Sequence, residues 1–234
     1  DGKRRDIIAF VRCHYHDCKV VYHHVDFPKI YGVDVEVHFT PSWMNNYFTN
    51  KKLQHYFNES RTELFQISTN NSNDIPVPSP AFNRVYILIH IYRHLFHEGI
   101  GLRQLLDYYY VLRQGFTEKE REETMHVLCA LKMKRFAGAV MWVLQEVFEI
   151  EDIYLIAKPN EIEGQFLLNE IMRSGNFGQY DRQMLRKSKE SDFSYGFRKI
   201  KRNLRFIRSY PSEVLWSPLF KVWHYFWRKK MQAG

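Results

Sequence analysis

Hydrophobic and polar positions follow two periods along this chain. Near the start the period is two. Val20-Val21-Tyr22-His23-His24-Val25-Asp26-Phe27 and Val33-Asp34-Val35-Glu36-Val37-His38-Phe39 are rich in β-branched and aromatic residues and are split by Pro28 to Gly32, a pattern that predicts a β-hairpin. In the second strand, alternation sets Val33, Val35, Val37 and Phe39 on one face and Asp34, Glu36 and His38 on the other, so one face belongs to a core and the other is free for chemistry. Ahead of the hairpin, Ile7, Ile8 and Phe10 suit one or two helical turns, and behind it Trp43 to Phe57 predicts one or two short helices.

Later the period becomes helical. Phe82 to Phe96 is apolar on nearly every side, broken by His90, Arg93 and His94, and predicts a deeply placed helix. Gly99 and Gly101 then supply a helix end and a tight turn, and Leu102, Leu105, Leu106, Tyr109 and Leu112 resume the spacing in a second helix expected to run antiparallel to the first. Thr117 followed by Glu120 is a capping-box signature opening the next helix. Further helices are predicted over Leu131 to Phe148, Glu161 to Met172 and about Asp192 to Ile207, with a break at Pro211 before an aromatic final helix. Between the two regimes, Ser68 to Pro80 is dominated by Ser, Asn, Asp and Pro, and reads as a loop and subdomain boundary. The fold class is therefore α+β and predominantly α, with residues 1–67 carrying the hairpin and 81–234 a helical subdomain.

Composition narrows the class. In 234 residues, 45% hydrophobic content is ample for a core. The formal charge of +8 favours anionic partners, and the excess gathers between Arg182 and Lys230, where the acids thin to Glu190, Asp192 and Glu213. Three cysteines, Cys13, Cys18 and Cys129, cannot all pair, which suits a reducing cytoplasm. Every apolar run is interrupted by charge short of a bilayer span.

The strongest constellation is Asp34, Glu36 and His38 on one strand face. Nucleotidyl transfer needs clustered carboxylates to hold Mg²⁺ against triphosphate oxygens, although an edge strand with a solvated polar face yields the same alternation. On the helices, His90, His94 and His97 can share one face, and Arg103 and Asp107 stand four apart. Zinc readings of His90, His94 and His97, or of Cys13, His14, His16 and Cys18, lack the spacing of known zinc motifs.

Taken in order, His23-His24-Val25-Asp26-Phe27, then Val35-Glu36-Val37-His38-Phe39, then Leu88-Ile89-His90-Ile91-Tyr92-Arg93-His94 leading to Gly99-Ile100-Gly101-Leu102-Arg103-Gln104-Leu105-Leu106-Asp107 resemble the uncharacterised nucleotidyltransferase family of the DNA polymerase β-like superfamily. The resemblance spans residues 20–112. It implies a mixed-sheet catalytic domain that transfers a nucleotidyl group from a nucleoside triphosphate to an acceptor whose identity stays open, with Glu36 as the third carboxylate of the metal cluster and Asp34 in reserve. It also implies that His94 and Arg103, with Asp107 and His38, meet the nucleotide. An Arg103–Asp107 ion pair beside core histidines is the structural alternative. The Gly-Ser turn and paired carboxylates that the family carries upstream are not found before Glu36. The expectation is thus an N-terminally incomplete chain, inactive alone, with Mg²⁺ bound only in the full-length protein.

The alternative function is a non-catalytic helical module binding nucleotide, RNA or a protein through its basic C-terminal region. The tail, with Trp216, Leu219, Phe220, Trp223, Phe226 and Trp227 beside Lys221, Arg228, Lys229 and Lys230, suits either peripheral contact with an anionic membrane or nucleic acid, or a terminal helix docked on the core.

Overall fold

A computed structural model describes residues 4–15, 18–60, 65–68, 75–175, 178–181, 185 and 189–232. Helix α1 (Arg4–His14) precedes a hairpin of β1 (His24–Ile30) and β2 (Val33–His38). Helix α2 (Tyr47–Glu59), a second pair β3 (Phe65–Ser68) and β4 (Ile75–Pro78), and helices α3 (Pro80–His97), α4 (Leu102–Arg113), α5 (Glu118–Ala130), α6 (Lys134–Phe148), α7 (Glu161–Ser174), α8 (Asp192–Asn203) and α9 (Pro211–Gln232) follow. The class is α+β, predominantly α, as the periodicities predict. Among the described residues the strands form two separate two-stranded antiparallel sheets, the first of them the expected hairpin that precedes the helices.

The first hairpin forms where expected, but its turn is tighter. Pro28 lies inside β1, where the register shifts between Phe27 and Ile30, because an irregularity in the ladder absorbs a residue with no N–H to donate. The turn itself is Tyr31-Gly32, with φ of +50° and +81°, the positive pair that matches the twist of a two-residue hairpin loop. The segment expected as a loop over Ser68 to Pro80 also differs, since Ile75–Pro78 pairs antiparallel with Phe65–Ser68. Two prolines are tolerated in so short a strand because it has a partner on one side only.

Local signals set the helix ends. Ser79 accepts from the Phe82 N–H at 3.2 Å, and Pro80 fills the first turn of α3, where a missing N–H costs nothing. Gly99, at φ +87°, ends that helix with its N–H donating to the His94 carbonyl at 2.7 Å. Thr117 and Glu120 form the predicted capping box of α5.

Two apolar clusters result. The larger runs through α2 to α7 and on to Phe206, Tyr210 and Val214, with Leu88, Ile89, Leu105, Phe136, Val140 and Leu144 at its centre. Met44, Leu53 and Phe57, from the region ahead of the second hairpin, belong to it. The smaller joins Ile8 and Val11 of α1 to Val20 and Val25, with Val37, Phe39, Trp227 and Met231 packed alongside. The apolar face of the first hairpin is thus covered by α1 and the end of α9, while Val33, at the turn, stays exposed.

The final helix docks on the core through Val214 and the buried carboxyl of Glu213, which accepts the Asn45 and Asn46 N–H groups at 2.7 and 3.2 Å. Pro218 lies within α9 and does not end it. The outer face of α9 leaves Leu215, Leu219, Val222 and Phe226 exposed. Among the described residues no helix is long and apolar enough to cross a membrane. Part of the late basic excess is turned inward: Arg205 pairs with Asp181 at 2.8 Å and Glu170 at 3.2 Å.

Candidate functional site

The polar face of the first hairpin is built by cross-strand pairing. His24 stands opposite His38, and Asp26 opposite Glu36, so four ionisable side chains share one face. His23 would point the other way in a regular strand, but the chain bends at Tyr22 and His23 before β1 begins. The bend brings His23 Nε2 to 2.9 Å from His24 Nδ1. Glu36 Oε2 lies 3.0 Å from His38 Nε2 and 3.4 Å from His24 Nδ1, and Asp26 Oδ1 lies 3.0 Å from His24 Nε2. One donor atom from each of His23, His24, Glu36 and His38 falls within 4.8 Å of the others, and this is the metal-competent group found among the described residues.

This face borders a cavity of about 520 Å³ whose other walls come from far along the chain, a size within the range of small-molecule sites. The end of α3 contributes Arg93, His97 and Glu98, the middle of α9 contributes Phe220, Lys221 and His224, and Lys19, Tyr22 and Trp43 are also in the lining. The Arg93 guanidinium rests over the Trp43 ring, 4.3 Å from its centre. Arg93 Nε, Lys221 Nζ, Trp43 Nε1, His23 Nδ1 and His224 Nε2 are buried there with no hydrogen-bond partner among the described residues, and such atoms ordinarily find one.

Burial sets the charge states. It pushes His23 far below the usual imidazole range, with Arg93 adding to the effect, and it lowers His24 against the opposing pull of Glu36. It lowers Lys221 to about 8, helped by Lys199 and Arg202, and His224 to about 4, helped by Arg228. Glu98 is lowered as well, to about 2, but here the shift favours the charged form, chiefly through its hydrogen bond from His94. His23, His24 and His224 are therefore neutral near pH 7, and Arg93 and Lys221 carry positive charge into the cavity.

The match to the uncharacterised nucleotidyltransferase family covers residues 9–149, more than half of the 234. The chain belongs to that family. The matched segment runs from within α1 to the end of α6 and holds the hairpin, Arg93, His97 and Glu98, while Phe220, Lys221 and His224 reach the cavity from beyond it. No curated protein and no solved structure matches the chain.

The residues singled out in the sequence are distributed unevenly. Glu36 and Asp34 line the cavity, but Asp34 is exposed near the turn, 3.1 Å from Lys29 Nζ, and is not one of the converging donors. His38 joins Glu36 in the donor group. His94 is buried behind the cavity wall, with Nδ1 2.7 Å from Glu98 and Nε2 near Arg93 and His90, so it positions two lining residues. Arg103 and Asp107 are exposed on α4 and are not among the lining residues. His90 and His94 touch, but His97 sits apart against Trp43, so a zinc site of the three does not form. His16 of the other zinc reading lies outside the described residues, and Cys13 and Cys18 are free.

Sequence reasoning missed His23, His24, Arg93, Lys221 and His224 as site residues. The available signal was Arg93 and His97, four apart on one helical face, and Lys221 and His224, three apart on another.

The family resemblance implies Mg²⁺, and the donor set speaks to that directly. Mg²⁺ asks for octahedral oxygen ligands, whereas three of the four converging donors are imidazole nitrogens. These four residues do not fit Mg²⁺.

Proposed function

We propose that this cavity binds a nucleoside triphosphate and that the protein transfers the nucleotidyl group to an acceptor, with attack of an acceptor oxygen on the α-phosphorus and release of pyrophosphate. The observation that carries the reading is the set of buried, unpartnered donors on Arg93, Lys221, Trp43 and His224 around one cavity. Such groups call for an anion rich in oxygen acceptors, and the planar, permanently charged guanidinium suits phosphate best. Family membership supplies the reaction class.

In this reading Arg93 and Lys221 hold phosphate oxygens from opposite walls. The Trp43 ring fixes Arg93 from beneath, and the His94–Glu98 pair fixes the end of α3 on which Arg93 sits. Glu36 stands at the hairpin side of the cavity, held by His24 and His38, beside the place where the phosphate chain must pass.

The test is transfer of label from each of four α-³²P-labelled nucleoside triphosphates, with divalent ions present, to any component of a cell extract. The expected result is labelling that depends on this protein and is lost in Glu36→Ala. Saturable nucleotide binding without labelling points instead to a module that binds without catalysis. Neither binding nor labelling overturns the reading.

A further inference from the structure

We propose that His23, His24, Glu36 and His38 form a four-donor site for a divalent transition metal ion of the zinc class. Three of these residues, His23, His24 and Glu36, also line the cavity, but the metal site rests on donor geometry and is tested by metal binding, so it can stand or fall separately from the nucleotide reading.

The geometry comes first. Four ligands in a tetrahedron around an ion at zinc–nitrogen bond length lie about 3.4 Å apart. The consecutive separations here are 2.9 Å from His23 to His24, 3.4 Å from His24 to Glu36 and 3.0 Å from Glu36 to His38, and no pair in the group exceeds 4.8 Å. The ligand cage is thus close to its working size, and closing it asks only for side-chain adjustment.

The chemistry of the donors selects the ion. Imidazole nitrogen suits Zn²⁺, Co²⁺, Ni²⁺ and Cu²⁺, and one carboxylate beside three imidazoles is a common zinc-class set. Hydrogen bonds can satisfy these groups only in pairs, because two facing imidazole nitrogens share a single proton between them. One cation at the centre meets all four lone pairs together.

The support around the donors points the same way. Asp26 holds His24 through Nε2 at 3.0 Å, which leaves Nδ1, the atom that faces His23 and Glu36, as the free ligand. A carboxylate behind a ligating imidazole is the usual outer support of a zinc site, since it fixes the tautomer and raises ligand basicity. The backbone is equally constrained: the Phe39 N–H donates to the His23 carbonyl at 2.7 Å, locking the bend that delivers His23 to the end of β2. His23 and His24 are both buried, so little rotamer entropy remains to be lost on binding.

Cobalt titration of chelator-treated protein tests the proposal. The expected result is one equivalent of Co²⁺ bound, with the intense visible bands of a four-coordinate site, displacement by one equivalent of Zn²⁺, and no displacement by millimolar Mg²⁺. His38→Ala, at a half-exposed position where folding is readily checked by circular dichroism, is expected to weaken binding at least ~10-fold, in the range seen when a metal site loses a supporting group. Glu36→Gln serves as the second variant with the same expectation. His55→Ala removes an exposed histidine paired with Glu59 on α2, and is expected to leave binding unchanged. Absence of saturable Co²⁺ or Zn²⁺ binding, weak bands of a six-coordinate ion, or wild-type affinity in both His38→Ala and Glu36→Gln overturns the site.

Discussion

Arg93 lies over Trp43 with its guanidinium carbon 4.3 Å from the ring centre, and this contact holds a buried cation at the cavity with no carboxylate among the described residues bonded to it. An aromatic face stabilises the charge, and although one terminal nitrogen meets His94 Nε2 at 2.8 Å, Nε finds no partner among the described residues and is left for a ligand. Arg93→Ala is expected to weaken nucleotide binding by at least ~10-fold, the scale of one lost charge-assisted contact. Arg93→Lys keeps the charge but loses both the fork and much of the stacking, and is expected to fall between the two. Equilibrium binding by calorimetry checks the order, and equal affinities in all three proteins count against it.

Lys221 gives the cavity a pH dependence. Its pKa is lowered to about 8 by burial and by Lys199 and Arg202, so the ammonium that attracts phosphate is present below about pH 8 and is lost above it. Nucleotide affinity is expected to fall as pH rises from 7.5 to 9.5, with a midpoint at or somewhat above 8 because bound phosphate favours the charged form. Lys221→Arg stays charged and is expected to flatten the profile. Stability of the empty protein moves oppositely. Between about 8 and the ordinary 10.5 the unfolded chain holds the proton more tightly, so this group's burial penalty fades as pH rises. An affinity that does not change with pH over this window removes Lys221 from the site.

Glu213 ties α9 to the segment before α2 and makes that tie pH-sensitive. It accepts the Asn45 and Asn46 N–H groups, yet burial raises its pKa from 4.5 to about 7. The folded state therefore binds the proton more tightly than the unfolded state. The stability this contributes is complete below about pH 4.5 and is lost as pH rises through 7. Glu213→Gln is neutral throughout and is expected to remove that slope, so the melting temperature of the wild type should drop relative to the variant between pH 5 and 7.5. Thermal unfolding of both proteins across that range is the check, and parallel curves contradict the assignment.

The legible parts of the fold were those fixed locally. Thr117 with Glu120, Ser79 with Pro80, and Gly99 mark helix ends through hydrogen bonds made within a few residues, and the strand Val33 to Phe39 shows its two faces by alternation. The hairpin turn is shorter than the sequence suggests because Pro28 reads as punctuation, while the ladder absorbs it at an irregularity. Ile75–Pro78 was invisible as a strand because its flanks are Ser, Asn and Asp and its pairing partner is a four-residue segment. Half of the site was legible for the same local reason: Glu36 and His38 are two apart on one strand. His23 was hidden because neighbours in a strand diverge unless a bend intervenes. Lys221 and His224 were hidden because nothing near α9 in sequence indicates that the helix returns to the hairpin. That return is fixed by tertiary packing, through Glu213 at one end and Trp227 and Met231 at the other.

Direct titration with a nucleoside triphosphate tests whether the cavity between the first hairpin, α3 and α9 is a nucleotide site. Tyr22, Trp43 and Phe220 line the cavity and Trp223 packs on Tyr22 and Phe220, so intrinsic tryptophan fluorescence reports occupancy. Saturable binding of one triphosphate per chain is expected, abolished in the double variant Arg93→Ala with Lys221→Met. No saturable binding by any of the four triphosphates, or undiminished binding in the double variant, contradicts it.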